Sequence, residues 1–204
     1  EEERYKMLRF IDRRAIKGGR IVIDIHGQDN IPKEDGFMLS ESPGTFDVLA
    51  IMQACPRPFS VVMKKEVQNI PFLKQVFACM KAFLIRQRGY QTVHAGIINV
   101  TREVKNGRNY LIFPEGTRSK QGNHPQEFKE EALRQQLSEV SHYPVALIDS
   151  YKSFDTGIGS ARHSTGAFSE TMEYEEYKDM KSTEIAAEVK RRIEETIKAN
   201  GGWD

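Results

Sequence analysis

From Arg20 onward, short runs of apolar and β-branched residues alternate with longer segments whose apolar positions recur every three or four residues. "RIVIDIHG", "GFMLSE", "FSVVM", "AFLIR", "NYLIF" and "PVALIDS" read as strands. Two segments have the spacing of a helix with one buried face: Val93, Ile97, Val100 and Val104, closed by Gly107, and Ile185, Val189, Ile193 and Ile197. The second starts beside Ser182 and Thr183, natural N-caps, and ends at Asn200 and Gly201, natural C-caps. "LAIMQAC", from Leu49 to Cys55, is apolar nearly all round, which predicts a helix buried between a sheet and other elements. The Gly/Ser-rich "TGIGSARHSTGAFSE" reads as a surface loop with a short strand. Strands alternating with helices predict a single α/β domain with a largely parallel sheet flanked by helices.

Residues 1–19 differ from the rest. Arg4, Lys6, Arg9, Arg13, Arg14 and Lys17 are interleaved there with Tyr5, Met7, Leu8, Phe10, Ile11 and Ile16. This basic amphipathic pattern suits a helix lying on an anionic membrane surface, or one packing its apolar side on the domain. The expected organisation is therefore a basic amphipathic segment over 1–19 and one α/β domain over 20–204. No run approaches the ~20 apolar residues of a spanning helix. The acidic "EEE" start is unlike a secretory signal, so a cytoplasmic protein, peripheral on the inner face of the cell membrane, is expected.

Thirty Lys and Arg against 29 Asp and Glu leave a net charge of +1, too little to draw nucleic acid without specificity. Cys55 and Cys79 lie in apolar surroundings with no second pair, so neither a metal site nor a disulfide framework is expected, and no cofactor is implied.

Three motifs follow in order: "SPGTFD", then "MKKEVQNIPFLKQVFACMKAFLIRQRG", then "FPEGTRS" from Phe113 to Ser119. Together they resemble the bacterial type of the lysophosphatidate (1-acylglycerol-3-phosphate) acyltransferase family, and the likeness runs through almost the whole chain after Gly19. The resemblance implies a glycerolipid-acyltransferase-like α/β fold. It also implies transfer of a fatty acyl group from acyl-CoA or acyl carrier protein to a lysophospholipid acceptor such as lysophosphatidate. In that family a His, four residues and an Asp form the first site: the imidazole takes the hydroxyl proton and the carboxylate orients it. Here the acid is Asp47 and the His position holds Ser42, whose hydroxyl is no base near neutral pH.

Ser42 does not read as a nucleophile, because the next residue, Pro43, has no N–H to build an oxyanion hole. Capping of a helix that begins at Pro43 is its expected role. Asp47 in the first turn of that helix also suits the helix dipole. The resemblance assigns acceptor binding to the turn Glu115, Gly116, Thr117 and Arg118, with the Arg118 guanidinium a fork for phosphate oxygens. In the second motif Gln87 takes the place of the family's phosphate-contacting Arg, leaving Arg86 or Arg88 as candidates. "FKEE" replaces a glycine-containing turn, placing Glu130 and Glu131 near a phosphate site. Among the histidines, His124 alone is placed to reach the cleft, though a loop position on the surface is its simpler reading.

The expected function is thus that of an acyltransferase-family protein impaired or inactive for want of its base. The alternative is a noncatalytic lipid- or protein-binding module, engineered or degenerate, on the same fold.

Overall fold

A computed structural model describes residues 2–31, 36–42, 46–65, 73–85, 90–117, 121–129, 133, 140–154 and 162–203. Seven strands form one sheet in the order β1-β7-β6-β2-β5-β3-β4: β1 Ile21–His26, β2 Gly36–Ser40, β3 Phe59–Lys64, β4 Phe83–Ile85, β5 Asn109–Ile112, β6 Ser141–Ile148 and β7 Arg162–Phe168. β6, β2, β5, β3 and β4 run parallel, while β7 pairs antiparallel with β6 and parallel with β1. Every residue of β2, β5 and β6 is buried. Helices cover both faces of these strands, so they read as continuous apolar runs without alternation.

Along β2, Met38 faces one layer and Phe37 and Leu39 the other, as the two-residue period requires. The Met38 layer holds α1 (Glu2–Gly18), α2 (Asp47–Ala54) and α3 (Leu73–Cys79). The Phe37 layer holds α4 (Tyr90–Lys105) and, beyond the single turn α5 (Tyr174–Tyr177), the C-terminal helix α6 (Ser182–Ala199). Val100 and Val104 of α4 and Ile185, Val189, Ile193 and Ile197 of α6 are buried, as their spacing predicts. Helix α2 buries Ala50, Ile51, Met52 and Ala54.

Two local expectations need correction. β7 is an interior strand of seven residues, not a short strand in a surface loop. Its small residues made it look like a loop, yet packing requires them: a Cβ on Gly166 would sit 3.3 Å from the Ala54 Cβ of α2. The part of that segment over 156–161 lies outside the described residues. At α6, Ser182 is the first helical residue and not the cap; the Glu184 carboxylate accepts the Lys181 backbone N–H at 2.6 Å. The other end closes as expected, with Gly201 at φ 75 and the Gly202 N–H donating to Ile197 O at 2.9 Å.

Helix α1 packs into the same core. Tyr5, Leu8 and Ile16 are buried, the Tyr5 hydroxyl donates to Cys55 O at 2.9 Å, and Arg9 donates to Gln53 O at 2.9 Å. Asp12, also buried, accepts from the Gln53 amide at 2.6 Å, and burial pushes its carboxyl up to about 6. Met7, Phe10 and Ile11 remain exposed on the opposite side, so the helix has two apolar surfaces and only one is covered.

Candidate functional site

In open α/β sheets the ligand crevice lies beyond the carboxyl ends of the parallel strands. Three adjacent strands deliver the candidate residues there. The chain leaves β2 at Ser40 into Glu41 and Ser42, leaves β5 at Ile112 towards Glu115, and leaves β6 at Ile148 into Asp149 and Ser150. α2 begins immediately afterwards in the first motif, with Phe46 as N-cap and Asp47 as its first residue.

Asp47 is the hub. The Ser42 hydroxyl donates to its Oδ2 at 3.1 Å and the Ser150 hydroxyl to its Oδ1 at 2.7 Å, and all three residues are buried. This corrects the expectation for Ser42, which engages a carboxylate and does not cap α2, because that helix starts five residues further on. Pro43, Gly44 and Thr45 lie outside the described residues. Ser150 opens a 3₁₀ turn, Ser150–Phe154, straight after Asp149, whose φ of 60 reverses the chain at the strand end.

Two more carboxyl groups lie close by. Glu41 is 1% exposed; its Oε1 accepts from the Leu147 backbone N–H of β6, and its Oε2 has no partner among the described residues. Burial holds the Glu41 carboxyl well above the usual range, and the nearby Asp47 and Glu115 charges push the same way. Glu115 is also 1% exposed, and among the described residues neither carboxylate oxygen has a hydrogen-bond partner. The backbone N–H groups of Gln126 and Ser42 lie close enough to favour its charged form without completing a hydrogen bond, while burial raises its pKa.

The rest of the third motif turns at Gly116, at φ 65, with the Gly116 N–H donating to Phe113 O at 3.1 Å and the Lys129 N–H to Pro114 O at 2.9 Å. Only glycine takes that backbone readily, and the Lys129 side chain passes over it, 3.1 Å from where a Cβ would stand. Thr117 is exposed. The phosphate candidates Arg118, Arg86 and Arg88, and with them Gln87, Glu130 and Glu131, lie outside the described residues. The His124 ring packs edge-on against Trp203 at 4.5 Å. His142 is fully buried at the start of β6, the opposite end from Ser150, with neither ring nitrogen hydrogen-bonded.

Glu41 and Ser150 went unnoticed in the sequence. Glu41 had a signal, an acid directly beside the Ser42 position. Ser150 had none, because its approach to Asp47 requires β6 to lie next to β2 and the two residues stand 103 positions apart.

Among the described residues no group of three or more His, Cys, Asp or Glu is arranged to hold a metal, and no helix is long and apolar enough to cross a membrane.

A mostly parallel sheet with helices on both faces, an acid opening the helix after β2 and a buried Glu in the turn after β5 define an acyltransferase-type α/β protein. Residues 22–148 match the family model described as Acyltransferase, and the chain belongs to that family. It is 27% identical over 140 residues to the 1-acyl-sn-glycerol-3-phosphate acyltransferase of Borreliella burgdorferi, a stretch covering 68% of this chain and 56% of the relative. To the protein of the same name from Saccharomyces cerevisiae it is 30% identical over 101 residues, 48% of this chain and 32% of the relative. The chain therefore spans about half and about a third of the lengths of these two relatives. Its fold is similar to that of the 1-acyl-sn-glycerophosphate (LPA) acyltransferase PlsC from Thermotoga maritima, with a TM-score of 0.76 at 19% identity over 98% of this chain and 81% of that one.

Proposed function

We propose that the protein is a glycerolipid acyltransferase with impaired turnover, accepting the acyl group of acyl-CoA or acyl carrier protein and passing it to the free hydroxyl of lysophosphatidate. The observation that carries this reading is the placing of Asp47 and Glu115 near Glu41, in the segments that follow the adjacent parallel strands β2 and β5, in a chain whose relatives are named for that reaction. Asp47 holds the orienting-acid position, and the hydroxyl that meets it belongs to Ser42. A serine hydroxyl takes no proton from an alcohol near neutral pH, so attack on the thioester lacks the usual base. Three buried acids also make the pocket unfriendly to phosphate, which gives Arg118, with Arg86 or Arg88, the task of compensating.

The Ser42–Asp47 hydrogen bond favours the second reading as well, a noncatalytic lipid-binding module, since it satisfies the acid that an imidazole would otherwise occupy. Thiol release from acyl-CoA separates the two: release that requires added lysophosphatidate supports the enzyme. Lysophosphatidate binding without any release supports the module.

The basic segment 1–19 is proposed as the anchor that brings domain 20–204 to an anionic surface on the inner face of the membrane. Phe10 is 60% exposed, Met7 48% and Ile11 41%, and the Arg14 guanidinium lies over the Phe10 ring at 5.1 Å. That is an apolar patch with cations beside it, the pairing that interfacial helices use. Replacing all three by Ser, with Tyr5, Leu8 and Ile16 left to hold the helix on the domain, is expected to abolish most sedimentation with phosphatidylserine vesicles; high salt should weaken the parent's binding too. Equal sedimentation of parent and triple variant would assign the patch another role.

A further inference from the structure

We propose that Glu115 is the general base of the residual acyl transfer, taking over the proton-accepting role at a site where the family position for the base holds Ser42. The inference rests on the acyltransferase reading above. It starts from an anomaly: a carboxyl group that is 1% exposed, on the turn after a central strand, with both oxygens lacking a hydrogen-bond partner. A buried acid without partners is costly, so its persistence asks for a use. Structural carboxylates are ordinarily pinned, as Asp47 is by two serines and Glu41 by the Leu147 N–H. Among the described residues, Glu115 alone of the three has both oxygens without a hydrogen-bond donor.

Its surroundings fit the role. Burial raises the Glu115 pKa, which makes the carboxylate a stronger base than a solvated one, while the Ser42 and Gln126 N–H groups and the Lys190 charge on α6 keep the ionised form accessible. Burial pushes the Glu41 carboxyl up, and Lys129 passes over the neighbouring Gly116. The Ser42 backbone stands beside Glu115, so a hydroxyl directed at the position where the family places its imidazole comes within reach of this carboxylate.

The step balances as follows. The acceptor O–H gives its proton to a Glu115 Oε as its oxygen forms a bond to the thioester carbonyl carbon. When the tetrahedral intermediate collapses, the C–S bond breaks and the departing thiolate takes the proton back from Glu115. The products are an ester and a free thiol.

The test is a double-variant cycle on lysophosphatidate-dependent thiol release from acyl-CoA, using the parent, Glu115→Gln, Ser42→His and the two combined. A carboxamide keeps the shape and removes the basicity, and circular dichroism with a urea midpoint checks that each variant folds. If Glu115 is the base, Glu115→Gln drops the parent by ~10²-fold or to the protein-free rate, whereas in Ser42→His, where imidazole takes the proton, it costs less than ~10-fold. Equal factors in both backgrounds overturn the proposal and leave Glu115 an acceptor-binding residue. Release by Ser42→His with none from the parent overturns it too, and leaves the acyltransferase reading intact. No release from either means that both fall.

Discussion

Ser42→His is expected to raise lysophosphatidate-dependent thioester cleavage by roughly 10- to 10²-fold, less than the ~10²–10⁴ commonly contributed by a positioned base. The acid that must orient the imidazole is already held. Ser150 fixes the Asp47 Oδ1 at 2.7 Å, and the Oδ2 now bonded by the Ser42 hydroxyl becomes the partner for a ring N–H. The gain is expected to stay below the full factor because the family resemblance puts Gln87 and Glu131 at the proposed acceptor site, and an imidazole placed slightly off line loses much of its effect. Adding Asp47→Asn should remove the gain, since an amide neither fixes the tautomer nor balances the imidazolium. Initial rates for the parent and both variants check this. A parent rate of about 1–10³ per second, ordinary for enzymes, would show that Ser42 does not stand where the family keeps its base.

His142→Phe is expected to remove a large acid sensitivity from the fold. The His142 imidazole is fully buried between the Phe37 and Tyr177 rings, with centroids at 5.9 Å and 4.6 Å, and burial lowers its pKa from 6.5 to about 3. Between those values the unfolded chain binds a proton that the native chain refuses. Its stabilising contribution is therefore complete above about 6.5 and is lost as pH falls towards 3. At pH 5 the loss is roughly 2 kcal/mol, one and a half pH units at about 1.4 kcal/mol each. Asp12 acts in the opposite sense: its carboxyl, raised to about 6, contributes stability at low pH that is lost as pH rises through that value. Asp12 is common to both proteins and cancels in their difference. Urea unfolding of parent and variant at pH 7 and pH 5 should show the parent losing about 2 kcal/mol more than the variant. Any overpacking by the larger Phe ring lowers both pH points alike, so a difference that does not change with pH would defeat the prediction.

How much of this was legible in the sequence follows from the range of the interactions involved. Local patterns carried the six strands that read as apolar runs, the buried face of α6 at Ile185, Val189, Ile193 and Ile197, and the glycine stop at Gly201. Periodicity and capping are properties of a few neighbouring residues. The motif frame placed Ser42 and Asp47 in the first motif and Glu115 in the third motif of the expected site. The sequence by itself thus determined the α/β class and the family.

What it did not reach are the features created by packing across the sheet. β7 passed for a loop because its small residues answer to the crossing of α2 over Gly166, not to strand propensity. Ser42 passed for a helix cap because the start of α2 at Asp47 could not be read from "SPGTFD". Ser150 meets Asp47 only because β6 lies beside β2, and Glu115 is buried beyond β5, with no hydrogen-bond partner among the described residues. These contacts join residues separated by many tens of positions. The tertiary structure decided them, since the order of the strands determines which side chains come to lie beside each carboxylate.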